Sequence, residues 1–275
     1  MREGHARFNK ENSALYGMSL DCFADLAAPF QRLPQENLLA LLRHTELGAT
    51  NAHYAFLQRP NAHRYVSPGE WKQFQGRCSL RLEAQPIVIL QPKGPIGFRF
   101  DIADLQGDPA ALLAIATRKR HSDTAEENLL TRLTDLALKM SVAADKAQAR
   151  MQGDDWTPLA RWISGFYEAL RRKDIGGSVL RLADAAASGM PIYEFRMFAD
   201  PRKREHRDAG FDREAIAAVV MARLKPSGTP FTAGEELAKS AATDLDCYFI
   251  ACAANRICSL LLHSERSLRE QERDD

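Results

Sequence analysis

Charge of one sign is almost missing from this 275-residue sequence. Its 37 lysines and arginines face 36 aspartates and glutamates, a net charge of +1. That balance excludes the whole-molecule attraction by which strongly basic chains gather on nucleic acid or anionic membranes. Long hydrophobic runs are missing too, and no stretch approaches the roughly 20 apolar residues of a membrane helix. The first residues, Met1 to His5, lack the apolar core of a signal peptide. Cysteine is scarce: five residues, an odd number, give no disulfide framework and suit a reducing cytoplasm. Seven histidines are scattered, and no two have the i, i+4 spacing that puts a pair of imidazoles on one helical face. Neither an internal repeat nor a low-complexity segment is present.

What is there reads as an ordinary globular composition, 45% hydrophobic and 27% charged. The most structured signal spans residues 58–108. Arg59-Pro60-Asn61 is a turn, and Ser67-Pro68-Gly69 is a second one leading into Glu70-Trp71-Lys72. Ser67 with Glu70 three positions later has the form of a capping box, with Pro68 in the first turn of a short helix. Residues 86–90 (PIVIL) are a β-branched strand signal, and residues 96–102 (IGFRFDI) alternate. Residues 91–95 (QPKGP) form a turn by composition, so the two runs should pair as an antiparallel hairpin.

The flanks are helical. A polar arm (residues 1–20) precedes an apolar pattern starting at Ser19-Leu20-Asp21. Pro34 then restarts a helix whose Leu38, Leu39, Leu41 and Leu42 face inward, with Arg43, His44 and Glu46 outside and Gly48 as C-cap. Past Pro109, helices are expected over 109–120, 126–150, from Trp156 to a stop at Gly176-Gly177, and over 178–187. A strand follows at 192–198, a charged loop at 200–207, and helices at 212–224 and 234–263. Residues 265–275 are expected to fray. Asp154-Asp155 suits a helix cap better than a metal pair. Cys247, Cys252 and Cys258 share a helix at spacings that do not share a face, as buried small hydrophobes would. The composition shift after Asp108 divides the chain into residues 1–110 and 111–275, an α+β protein.

A resemblance rests on residues 37–42 (NLLALL), Gln58-Arg59-Pro60-Asn61-Ala62, Trp71-Lys72-Gln73-Phe74 and residues 98–108 (FRFDIADLQGD), in that order. Together they resemble the N-terminal domain of ArdC-type antirestriction proteins, over roughly residues 30–110. The resemblance implies a module that binds single-stranded DNA, followed by a zinc metallopeptidase (zincin-like) domain, in a protein of a plasmid, phage or other mobile element. Two departures matter. The family's basic loop before its first strand is replaced by residues 80–85 (LRLEAQ). The helix expected to carry H-E-x-x-H reads, over residues 213–223, REAIAAVVMAR, without histidine. A helix carrying Asp244 and Asp246 resembles the one that supplies the third ligand, and an acid alone holds no zinc. The expectation is a degenerate, non-catalytic peptidase domain with no metal and no other cofactor. Should zinc be present, His206, Asp244, Asp246 and His263 are the candidate ligands.

The candidate nucleic-acid residues are Arg59, Arg64, Tyr65, Lys72 and Arg77. Over residues 1–108 the balance is 12 Lys+Arg against 11 Asp+Glu, but between residues 59 and 81 five cations, including Arg81, face only Glu70. Single-strand binders interleave such cations with aromatic stacking platforms. Tyr65 is the platform in this reading, while Trp71 and Phe74, three apart on a short helix, suit a core as well as a surface. The expected partner is single-stranded DNA bound with low affinity. The alternative is a protein-interaction module in which the pseudo-peptidase holds a protein partner; neither reading involves a membrane.

Overall fold

The computed structural model describes residues 34–74, 76–90, 96–117, 126–148, 156–188, 209–224, 232–239 and 246–274. They are mostly helical with a small amount of antiparallel sheet, an α+β arrangement. The chain divides into two units: Met1–Arg120 with Ala241–Cys247, and His121–Ser240 with Tyr248–Asp275. Expectations for residues 1–33, the hairpin turn at 91–95, Asp154-Asp155, the 192–198 strand and the 200–207 loop lie outside the described residues.

In the first unit α1 (Pro34–Arg43) packs against α2 (Ala49–Gln58). Leu38, Leu41 and Leu42 are buried as the period predicts. Two details differ from expectation. His44 is buried beside Tyr65 (ring centroids 4.5 Å apart) rather than outside. Gly48, at φ −59°, caps the start of α2 instead of the end of α1, for which a left-handed residue would be needed.

Five short strands follow: β1 (Tyr65–Val66), β2 (Cys78–Leu80), β3 (Ile87–Ile89), β4 (Gly97–Asp101) and β5 (Leu105–Gly107). Between β1 and β2 lies α3 (Pro68–Lys72), where Ser67 N donates to Glu70 Oε2 at 2.7 Å, the capping-box contact the sequence predicts. The expected hairpin forms, with Ile87 opposite Arg99 and Ile89 opposite Gly97. β4 sits between β3 and β1, and β2 pairs separately with β5.

Only one edge of β3 is paired to β4, and α2 occupies the other. The Gln58 amide donates to Val88 O (2.7 Å) and accepts from Val88 N (2.8 Å); Asn51 makes the same pair of contacts with Leu90, both at 2.9 Å. Seven residues apart, the two amides share a helix face and satisfy backbone groups two apart on a strand, so the exposed edge is closed without another strand.

α4 (Pro109–Thr117) belongs to the first unit, whose first segment runs to Arg120 rather than to residue 110. Ala111 and Ile115 join Val66, Cys78 and Leu105 in one buried cluster, and that packing keeps α4 with the strands despite the change in composition.

The second unit comprises α5 (Glu126–Gln148), α6 (Trp156–Arg171), α7 (Ile175–Ser188), α8 (Ala209–Leu224), α9 (Thr232–Lys239) and most of α10 (Cys247–Asp274). The helix expected over 234–263 is thus two helices, and α10 runs on through the charged tail. α7 packs against both α6 and α8, and its inward Val179, Leu182, Ala183 and Ala186 are fully buried.

Gly176-Gly177 does not stop α6. The stop is Lys173, left-handed at φ 57°, where Lys173 N bonds to Leu170 O and Asp174 N to Ala169 O, each at 2.9 Å, a Schellman motif. Asp174 then caps α7 by accepting from Gly177 N at 2.8 Å. A Cβ on Gly177 would stand 2.3 Å from Asp174 Oδ2, so a larger residue there would push the capping carboxylate aside.

Candidate functional site

The turn from α2 into β1 carries three of the five predicted nucleic-acid residues, and each is held inside the first unit. Arg59 forks onto Asp104, with Nη2 donating to Oδ1 at 2.8 Å and Nη1 to Oδ2, and lies 3.8 Å from Asp101. The hydrogen bond to Asp104 raises the guanidinium pKa further. Both acids are buried (Asp101 2% and Asp104 8% exposed). Asp101 also accepts from His63 N (3.1 Å) and Ala103 N (3.3 Å), so it locks the turn to the end of β4.

Tyr65 is the clearest correction. It is 1% exposed, its hydroxyl donates to Arg59 O at 3.1 Å, and its backbone N donates to Glu46 Oε1 at 3.0 Å. Burial pushes the phenol pKa up. A ring closed off on both faces offers no platform for a base. Nothing local to Tyr65 signalled that it lies in a strand whose two residues are both buried.

Arg64 is half-buried: Nη1 donates to Ala116 O at 2.7 Å and Nη2 to Glu70 Oε1 at 3.4 Å, tying β1 to α4 and α3. Arg77 is more open (56% side-chain exposure), with Nε donating to Asp108 Oδ2 at 3.0 Å. That bond holds the Asp108 carboxyl below its usual value. Lys72 is exposed and has no hydrogen bond or ion pair among the described residues. Trp71 and Phe74 pack on the Val66, Cys78, Leu105, Ala111, Ile115 cluster, and Trp71 meets Phe100 edge-on at 5.4 Å. They belong to the core side of the two readings.

The structure therefore brings Arg59, Arg64 and Tyr65 together as interior fasteners and leaves Lys72 and Arg77 facing water. The residues that sequence reasoning missed are the acids, Asp101 and Asp104. Their signal was present: an Asp three residues before another Asp at the end of a strand has the form of a capping box, here around a 3-10 turn at Ile102–Asp104.

The zinc site implied by the resemblance does not fit the residues present. α8 offers Arg213, Glu214 and Arg223 where two imidazoles are required, and among the described residues no group of three or more His, Cys, Asp or Glu could hold a metal. Asp246 is described; His206, Asp244 and the His263 side chain are not among the described groups. Cys78, Cys247, Cys252 and Cys258 are free thiols, with Cys247 and Cys258 buried as expected. Among the described residues, no helix is long and apolar enough to cross a membrane. Searches of family models, of curated proteins and of solved structures return no match.

Proposed function

We propose that this chain is a non-catalytic binding protein whose partner is another protein, held on the outer face of α4. The observation that supports this reading is α4 itself. None of its nine residues is charged (PAALLAIAT), only Ala111 and Ile115 are buried, and Leu113 is 63% exposed. A helix bordering water ordinarily carries charge on that face. Burying an exposed leucine contributes about 1.5–3 kcal/mol, so this face favours an apolar protein surface over a phosphate backbone. The setting is the reducing cytoplasm suggested by cysteine usage.

The reading is tested in the chain's native cell with a photo-crosslinking residue at position 113 and, as control, at exposed Glu83. A protein adduct of discrete mass from 113 and none from 83 is expected. Identical adducts from both positions, or nucleic-acid adducts alone, would overturn it.

A second reading keeps the implication of the ArdC-like resemblance: low-affinity single-stranded DNA binding by an antirestriction-like protein of a mobile element. Its support is narrower, namely the outward side chains of Lys72 and Arg77, with Arg81 also exposed. On this reading Lys72→Ala and Arg77→Ala each weaken binding alike across sequences and lower the salt slope by about one unit. Absence of any gel shift with single-stranded DNA at low salt removes it.

A further inference from the structure

The second unit contains an open pocket of about 300 Å³ between α6, α7 and α8, at which Arg181 is exposed to water. Three arginines (Arg172, Arg181, Arg213) and three acids (Glu168, Asp174, Asp184) line it, over a floor of small or apolar residues such as Gly165, Ala169 and Leu180. Some of this charge is already matched. Glu168 lies between Arg172 (2.8 Å) and Arg171 (2.9 Å) of its own helix, and Asp174 caps α7. Three side chains remain.

Arg181 and Asp184, one turn apart on α7 and so on the same face, make no side-chain hydrogen bond or ion pair among the described residues. Arg213, from α8, has a buried Nε without a hydrogen-bond partner among the described residues, and its Nη2 approaches neighbouring Glu214 at 3.5 Å. A buried donor without an acceptor is destabilising, and a ligand oxygen that reached it would relieve that cost.

The Arg181 guanidinium is also seated in advance. It lies against the α-carbon of Gly165 on α6, where an added Cβ would come within 3.0 Å of its Cζ and 3.2 Å of its Nε and Nη2. A guanidinium supported from behind keeps its planar fork available to a planar oxyanion.

We propose that this cavity binds a small zwitterion of the amino-acid type. Its carboxylate is taken by Arg181 and Arg213, and its ammonium group by Asp184. The lining is balanced, three cations to three anions, so a ligand of zero net charge keeps that balance. A bare dianion would meet repulsion from Asp184. The volume is at the lower end of small-molecule sites, which suits a ligand of this size.

The test is calorimetric titration of the full-length chain with free α-amino acids, succinate and inorganic phosphate as separate probes. At least one amino acid is expected to bind with a dissociation constant of about 1 mM or below, and succinate and phosphate on the order of tenfold more weakly. Arg181→Met and Arg213→Met should each weaken the amino acid by about tenfold or more, and Asp184→Asn should abolish the preference over succinate. Gly165→Ala retains every charge but displaces the Arg181 fork; it should weaken binding several-fold with an unchanged or higher melting temperature. Tighter binding of phosphate or succinate than of every amino acid overturns the proposal. So does the absence of any amino acid binding at that level, or binding indifferent to Arg181→Met in a variant that melts like the wild type.

Discussion

In the first unit Arg59, Arg64 and Arg77 each end on a carboxylate of the same unit: Asp104, Glu70 and Asp108. In the second, Arg181 has no such partner among the described residues, and Arg213 approaches its neighbour Glu214 at 3.5 Å. The stretch that looked like a ligand surface in the sequence uses three of its five cations as fasteners, whereas Arg181, on a helix with no motif, has no carboxylate partner among the described residues. The difference follows from chain length. The window of residues 59–81 displays clustered cations, but Arg59 meets an acid 45 residues away and Arg77 one 31 residues away. Clustering along the chain measures proximity of like charges and says nothing about the opposite charges that folding brings.

The largest effect should come from breaking a fastener. Arg59→Met leaves Asp104 and Asp101 buried with their main cation gone, and an uncompensated buried charge costs about 3 kcal/mol or more. Urea denaturation measures it. A loss below about 1 kcal/mol would mean that the pair is solvated like a surface bridge, and Arg59 would return to the list of available cations.

The next effect is a pH dependence that arises in the first unit, from a buried histidine. His53 is 5% exposed, with Nδ1 donating to Asn37 Oδ1 at 3.1 Å. Burial lowers its pKa from 6.5 to about 4, with Asp246 partly opposing. Between those values the unfolded chain binds the proton that the folded chain refuses, so stability is complete above pH 6.5 and falls as pH drops towards 4. The loss reaches about 3 kcal/mol. His53→Gln, which keeps a donor for Asn37, should flatten this part of the stability profile. An unchanged slope would assign the acid sensitivity to other groups.

A smaller effect tests the amide closure of β3. Gln58→Ala opens Val88 N and O at once, and stability should fall by about 2 kcal/mol. Hydrogen exchange at Val88 should quicken while Ile87 and Ile89, bonded to β4, stay protected. Equal exchange at all three amides would show that α2 does not close this edge.

Much of the first unit was legible. The Ser67–Glu70 box, the 86–102 hairpin and the leucine face of α1 are local patterns, and local patterns have local causes. Where legibility failed, a distant partner decided. Tyr65 was read as a platform because its covering side chains, His44 among them, come from before the strand. His44 and Glu46 were set outside because a helical period cannot register that the chain turns inward after Arg43. Gly176-Gly177 was read as a stop because glycine is the usual residue past a helix end. Here Lys173 takes the left-handed position instead, and Asp174 converts the glycines into a helix start. The cavity of the second unit had no sequence signal: Gly165, Arg181 and Arg213 lie on three helices and satisfy no spacing rule.

The smallest expected effect sharpens the contrast most. Arg181→Met keeps an unbranched apolar side chain and removes the guanidinium that lies beside Gly165. With no carboxylate partner for Arg181 among the described residues, the change should alter unfolding free energy by no more than about 0.5 kcal/mol, against several for Arg59→Met. The two variants exchange the same side chains, so the difference between them isolates what each arginine does inside its own unit. Measured side by side in urea, a cost at Arg181 approaching that at Arg59 would reveal an internal partner. The second unit's arginines would then be fasteners too, and the distinction between the units would disappear.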